Sequence, residues 1–174
     1  MSRSRQPLTL EFALLGFLLE RPLHGYEVSQ RLADPAGLGQ VWRVKQSRLY
    51  ALFARLEREG YVTSTLHPQE GRPPRKVLAL TPAGAATVAA WLRRPVAHGR
   101  QMRLHFLVKL YFARRTGPGA ARALIERQQA LCRRWIAAER SLLTAAPPHS
   151  YLKLVHQFRL SQVEAVMEIC TQVS

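Results

Sequence analysis

The feature that most constrains this chain is a helix pattern that runs without a linker into a two-strand pattern. In KQSRLYALFARLEREG, Lys45 to Gly60, the apolar residues Leu49, Leu52, Phe53 and Leu56 recur at helical steps and share one buried stripe. Gln46, Arg48, Tyr50, Ala51 and Arg55 lie largely off that stripe. Gly60 stops the helix, and Tyr61, Val62, Thr63 and Thr65 favour extended backbone. Pro68 to Pro74 makes a stiff basic tip, and Arg75 to Leu80 returns with Val77 and Ala79 alternating against Leu78 and Leu80. Sequential strands of this kind pair most simply as an antiparallel hairpin. A polar-faced helix leading into a cationic hairpin is the plan of a winged helix, which puts one helix in a DNA major groove and an arm beside it.

The flanking segments fit that plan. A first helix is expected from about Thr9, which can cap it, to Glu20, with Phe12, Leu14, Leu15, Leu18 and Leu19 as a broad apolar side. RPLHG interrupts the pattern, and a second helix follows from about His24 to Ala33 through Tyr26, Val28 and Leu32. Asp34 to Gly39 reads as a loop. Thr81 with Pro82 at the first helical position opens another helix, ending near Arg94 before Pro95. Val96 to Arg100 is the expected boundary between a reader domain, residues 1–97, and a helical domain, residues 98–174. The latter predicts helices over Gln101 to Arg115, Gly119 to about Thr144 and, after the Pro147-Pro148 break, Ser150 to Thr171. Their apolar stripes close either a bundle within the chain or, more naturally for long helices appended to a small reader, a homodimer seam. The expected fold is mainly α: a winged helix-turn-helix domain followed by a helical dimerisation domain.

Charge narrows the partners. The formal net charge is +15, with 14 basic against 7 acidic side chains before His98 and 12 against 4 from His98 onward, so both halves favour a polyanion. Arginine predominates, which suits bidentate contact with phosphate or guanine and equally fits a compositional bias. No leader pattern and no long uncharged apolar stretch is present, so the chain reads as cytoplasmic, associated with the nucleoid, and without a membrane partner. Cys132 and Cys170 read as free thiols on helices, and His67, His98, His105, His149 and His156 have no metal-ligand spacing. No cofactor is implied, and without a nucleophile-base set, phosphate-cradling glycine loop or acid pair the chain reads as a non-enzyme.

Three segments together carry a family resemblance: LTLEFALLGFLLERPLHGYEVSQRL from Leu8, SRLYALFARLEREGYV from Ser47, and GRPPRKVLALTPAG from Gly71. In this order they resemble the PadR family of bacterial transcriptional regulators, and Trp91-Leu92 and LVKLYFA, Leu107 to Ala113, extend the likeness into the tail. The resemblance implies a dimeric winged helix-turn-helix repressor that binds an inverted repeat and is released by a small molecule or stress signal. The chain departs from the family in carrying Ser47-Arg48 where a small Gly-Ser or Gly-Thr step is common, and Val77 and Leu78 where the returning wing strand often has tyrosines.

The candidate DNA contacts are His24, Tyr26, Lys45, Gln46, Ser47, Arg48, Tyr50, Arg55, Arg72, Arg75 and Lys76. Gln46 can read adenine and Arg48 can grip guanine from the amino end of an inserted helix, while Ser47 either joins them or caps the helix. Tyr50 resembles a family DNA contact or else supports the helix, and Arg55 either reaches phosphate or pairs with Glu59 one turn on. Arg72, Arg75 and Lys76 lie along the backbone or minor groove, or decorate a solvated hairpin. His24 and Tyr26 either touch phosphate or serve the local turn. Trp91 and Trp135, with Arg133 and Arg134, are the candidates for an anionic aromatic effector, against core or interface packing for both indoles. The leading function is a homodimeric, sequence-specific repressor of double-stranded DNA. The alternatives are a non-specific architectural DNA binder and a helical protein-interaction module that does not read DNA.

Overall fold

A computed structural model describes residues 9–69 and 72–173, as two units that meet between Leu92 and Arg93. Leu8 and Gly71 of the resembling segments lie outside the described residues, as does the side chain of Arg72.

The first unit is built around α1, Thr9–Phe17, in which every residue from Glu11 to Phe17 is buried. A helix that is apolar all round belongs inside, with other elements packed on each side. It stops short of the expected Glu20, in a turn where Leu18 and Leu19 donate to Leu15 and Gly16. β1, Leu23–His24, was not expected: RPLHG reads as a break, and two residues are too short to show a period. α2 is Gly25–Ala33 and α3 is Gln46–Arg58, with Leu49, Phe53 and Leu56 inward. Gly60, at φ 78°, ends α3. Its N–H donates to Glu57 and that of Tyr61 to Leu56, the paired bonds of a Schellman close, which needs a left-handed residue at that point.

β2, Val62–Gln69, and β3, Arg72–Leu80, form the expected hairpin. β1 adds to its other side, giving a three-stranded antiparallel sheet in the order β1-β3-β2. The register shifts between His67 and Gln69, around Pro68, which lacks a ladder donor and is tolerated on the edge strand. α4 is Pro82–Arg93. The Thr81 hydroxyl accepts from the Gly84 N–H at 3.0 Å and donates to the Gly60 carbonyl at 2.7 Å, so one side chain starts α4 and fastens it to the end of α3. A Cβ at Gly84 would lie 2.0 Å from the Tyr61 carbonyl oxygen, so that approach requires glycine.

In the second unit the expected helix from Gln101 begins irregularly. Gly99–Gln101 is a 3-10 turn and Met102–Phe106 a π-helical turn before α5, Leu107–Thr116. α6, Pro118–Ala145, and α7, Tyr151–Gln172, run back along each other. Val96, Met102, Phe106, Leu110, Leu124, Ile125 and Cys170 form the core. Gln128 is fully buried, with its side-chain oxygen 2.7 Å from the Val96 N–H and its amide nitrogen 3.3 Å from the Val96 carbonyl. This clamp ties Val96 to α6. Among the described residues no helix is long and apolar enough to cross a membrane.

Candidate nucleic-acid interface

The amino end of α3 is open to solvent. Lys45, Gln46, Ser47 and Arg48 are all exposed, and among the described residues neither Lys45 nor Arg48 pairs with a carboxylate. Lys45 is the N-cap residue and Ser47 lies inside the first turn, so the alternative of Ser47 as the cap is not realised. Gln46 reaches the Tyr50 hydroxyl at 3.4 Å. The Tyr50 ring rests on α2, where a Cβ at Gly25 would come within 2.8 Å of it, yet the residue remains half exposed. Its ring braces α2 against α3 and part of the side chain stays open to solvent.

His24 and Tyr26 diverge. The His24 N–H donates to Glu27 at 3.1 Å, and Arg21 binds the same carboxylate at 2.9 Å. Together they hold the Glu27 carboxyl below its ordinary range, the His24 bond being the larger cause. His24 thus serves the start of α2. Tyr26, on the next residue but one, is 57% exposed.

Two of the expected contacts are already engaged. Arg55 forms an ion pair with Glu11 of α1 and a second, at 3.5 Å, with Glu59. Glu11 is fully buried, and a buried carboxylate needs such a partner. Arg55 is therefore a link from α3 into the core. Lys76 lies 2.7 Å from Glu57 on α3, and Ser64 donates to the other oxygen of that carboxylate. Lys76 and, to a lesser degree, Ser64 hold the Glu57 carboxyl below its ordinary range. Arg75 is exposed and, among the described residues, carries no carboxylate partner. Adjacent residues on a strand point to opposite faces, so Arg75 and Lys76 cannot serve the same surface.

Sequence reasoning missed Glu11, Glu57 and Ser64. Glu11 had a signal, since a lone carboxylate in LTLEFALLGF must be compensated wherever the helix is buried. Arg43, exposed just ahead of α3, was also missed. It lines a cavity of about 420 Å³ with Ser29, Leu32, Gln40 and Trp42.

The effector candidates are scattered. Trp91 stacks on Phe12 with ring centroids 4.6 Å apart and planes 4° from parallel, and is 9% exposed. It packs as a core residue of the first unit. Trp135 is half-buried on α6, beside exposed Arg133 and Arg134.

Comparison with known proteins finds a family model matching each unit. The model of the transcriptional regulator PadR-like family matches residues 14–90, and that of the virulence activator alpha C-terminal region matches 102–174. The negative transcriptional regulator PadR of Bacillus subtilis is 26% identical over 146 residues, which are 82% of this chain and 79% of that protein. A probable transcriptional regulator of Mycobacterium tuberculosis is 30% identical over 93 residues, 53% of this chain and 48% of that protein. The crystal structure of Bacillus subtilis PadR with operator DNA shares the fold at a TM-score of 0.50 and 23% identity, covering 96% of this chain and 97% of the other. The first unit, from within α1 to within α4, is thus similar to the PadR-like family of transcriptional regulators, and the helical region behind it to the C-terminal region of a virulence activator.

Proposed function

We propose that this chain is a nucleoid-associated homodimeric repressor that binds double-stranded DNA at an inverted repeat. The observation that carries it is the open amino end of α3, where Lys45, Gln46, Ser47 and Arg48 are exposed together on a helix braced from behind by Leu49, Phe53 and Leu56. Glutamine and arginine there suit the edges of adenine and guanine. Lys45, Arg75 and Arg72 supply phosphate contacts, which set register and affinity without choosing sequence. Tyr26 and the Tyr50 hydroxyl flank this end and offer further phosphate contacts.

Dimerisation rests on α7, where Tyr151, Leu154, Phe158 and Ile169 are 81%, 63%, 61% and 48% exposed. Their spacing keeps them on one side of the helix, and an apolar row of this kind asks for a partner. A second copy would cover it and fix two readers at the separation of successive major grooves, giving half-sites about one turn apart. Repression follows by occlusion of the promoter. Release by a small anionic aromatic effector beside Trp135, Arg133 and Arg134 completes the proposal; an effector that favours a dimer with mismatched readers lowers DNA affinity by that preference alone.

The test is a pair of variants measured on specific and scrambled duplexes. Arg48→Ala is expected to lose about 1–3 kcal/mol on the specific site and little on the scrambled one, whereas Arg75→Ala weakens both alike. Equal weakening by both variants on both duplexes would favour architectural binding, to which the positive charge of both halves also points.

A further inference from the structure

Glu57 stands between the two parts of the reader. It follows Phe53 by one turn on α3, at the edge of the buried stripe, and takes one contact from each strand of the hairpin. Ser64 of β2 donates to one oxygen and Lys76 of β3 approaches the other at 2.7 Å. The register explains the meeting. Ser64 pairs with Leu78 and Leu66 with Lys76, and cross-strand partners share a face. Lys76 therefore belongs to the row of Leu78, which is 3% exposed and part of the core, and sits where that row overhangs α3. Arg75 belongs to the opposite row.

We infer that Glu57 is a positioning residue that ties the wing to the recognition helix and withholds Lys76 from DNA, thereby limiting sequence-independent affinity. This rests on the DNA-reading function proposed above. A cation that meets phosphate strengthens binding to every sequence equally, so each one added lowers the share of binding that depends on bases. In this reader Lys45, Arg48 and Arg75 are open, while Lys76 faces a carboxylate of its own chain. The side chain of Lys76 is 51% exposed, so the pair is a surface ion pair of small intrinsic strength. Its effect comes from geometry: one carboxylate on the recognition helix, held from two strands, sets where the hairpin lies.

The experiment measures affinity for specific and scrambled duplexes as a function of salt, for the full-length wild type, Glu57→Gln, Lys76→Gln and the double variant. Freed Lys76 adds about one phosphate contact per subunit, so Glu57→Gln is expected to steepen the salt slope by about 1.8 per dimer. Specific and scrambled DNA then both gain about tenfold more on going from 200 to 50 mM salt than with wild type. Lys76→Gln alone leaves the slope unchanged, and the double variant returns to the wild-type slope. A slope that falls by about 0.9 per subunit in Lys76→Gln alone would place Lys76 on phosphate and overturn the inference. An unchanged slope in Glu57→Gln would overturn it as well.

Amide exchange on the free proteins separates the tether from the DNA-binding reading. Faster exchange over residues 62–80 in Glu57→Gln, with α6 and α7 unaltered, supports the tether, and unchanged exchange there refutes it. Failure of the wild type to bind any duplex refutes the proposed function and the withholding of Lys76 by Glu57 with it.

Discussion

Removing the Arg55 guanidinium tests whether this arginine is a fold residue or a DNA contact. Glu11 is fully buried on α1, whereas the Arg55 side chain keeps 25% of its exposure and a second carboxylate, Glu59. The two partners are therefore unequal. Arg55→Met leaves the Glu11 carboxylate buried without its counterion, a loss of about 3–5 kcal/mol for a broken buried pair. Glu11→Gln leaves Arg55 with Glu59 and solvent, so its cost is set by one weakened hydrogen bond, about 1–2 kcal/mol. The double variant Glu11→Gln, Arg55→Met removes the stranded charge and recovers about half of the Arg55→Met loss, a coupling that a double-mutant cycle reads directly. Urea unfolding followed by circular dichroism measures all four proteins at neutral pH. DNA titrations under conditions where each remains folded should give one common salt slope. If Arg55→Met unfolds at the wild-type urea concentration and its salt slope drops by about 0.9 per subunit, Arg55 is on phosphate and the assignment is refuted.

Two further outcomes follow from the second unit. Lys109 is 4% exposed, donates to the Arg94 carbonyl at 2.6 Å, and is lowered to about 8 from 10.5 by burial and by Arg94. Between those values the unfolded chain binds more protons than the folded one, so stability rises with pH across that window, by roughly 3 kcal/mol in all for a shift of this size. Thermal melts from pH 7.5 to 10.5 should show the rise in wild type and a flat profile in Lys109→Met; an equal rise in both would place its cause elsewhere. Phe158→Glu puts a charge in the exposed row of α7 and should yield a monomer by light scattering, with operator affinity at least a hundredfold lower because two readers no longer bind as one unit; a dimer of unchanged affinity would show that the seam lies on another face.

Helix α3, its glycine stop, the hairpin and the Thr81-Pro82 start were legible because each is written locally, as a period, a capping side chain or a backbone requirement. The elements that escaped depend on distant partners. β1 exists only because Leu23 and His24 meet Leu78 and Val77, residues far along the chain. Lys76 shows its sign in the sequence but not its neighbour Glu57, and Arg55 shows Glu59 one turn on but not Glu11 of α1. Trp91 looked available for a flat ligand until its stacking partner, Phe12, was brought to it from the opposite end of the unit. The divergence of Arg75 and Lys76 was accessible in principle, since strand alternation alone sends neighbours to opposite faces. It required knowing which face the core occupied, and the burial of Leu78 supplies that.

The most direct test is selection from a pool of random duplexes by the purified protein at physiological salt, with scrambled competitor present, followed by sequencing. Enrichment of one inverted repeat, with half-sites about one helical turn apart, is the expected result. Recovery of duplexes sharing no motif, or of none at all, would contradict a dimer that reads sequence with the amino end of α3.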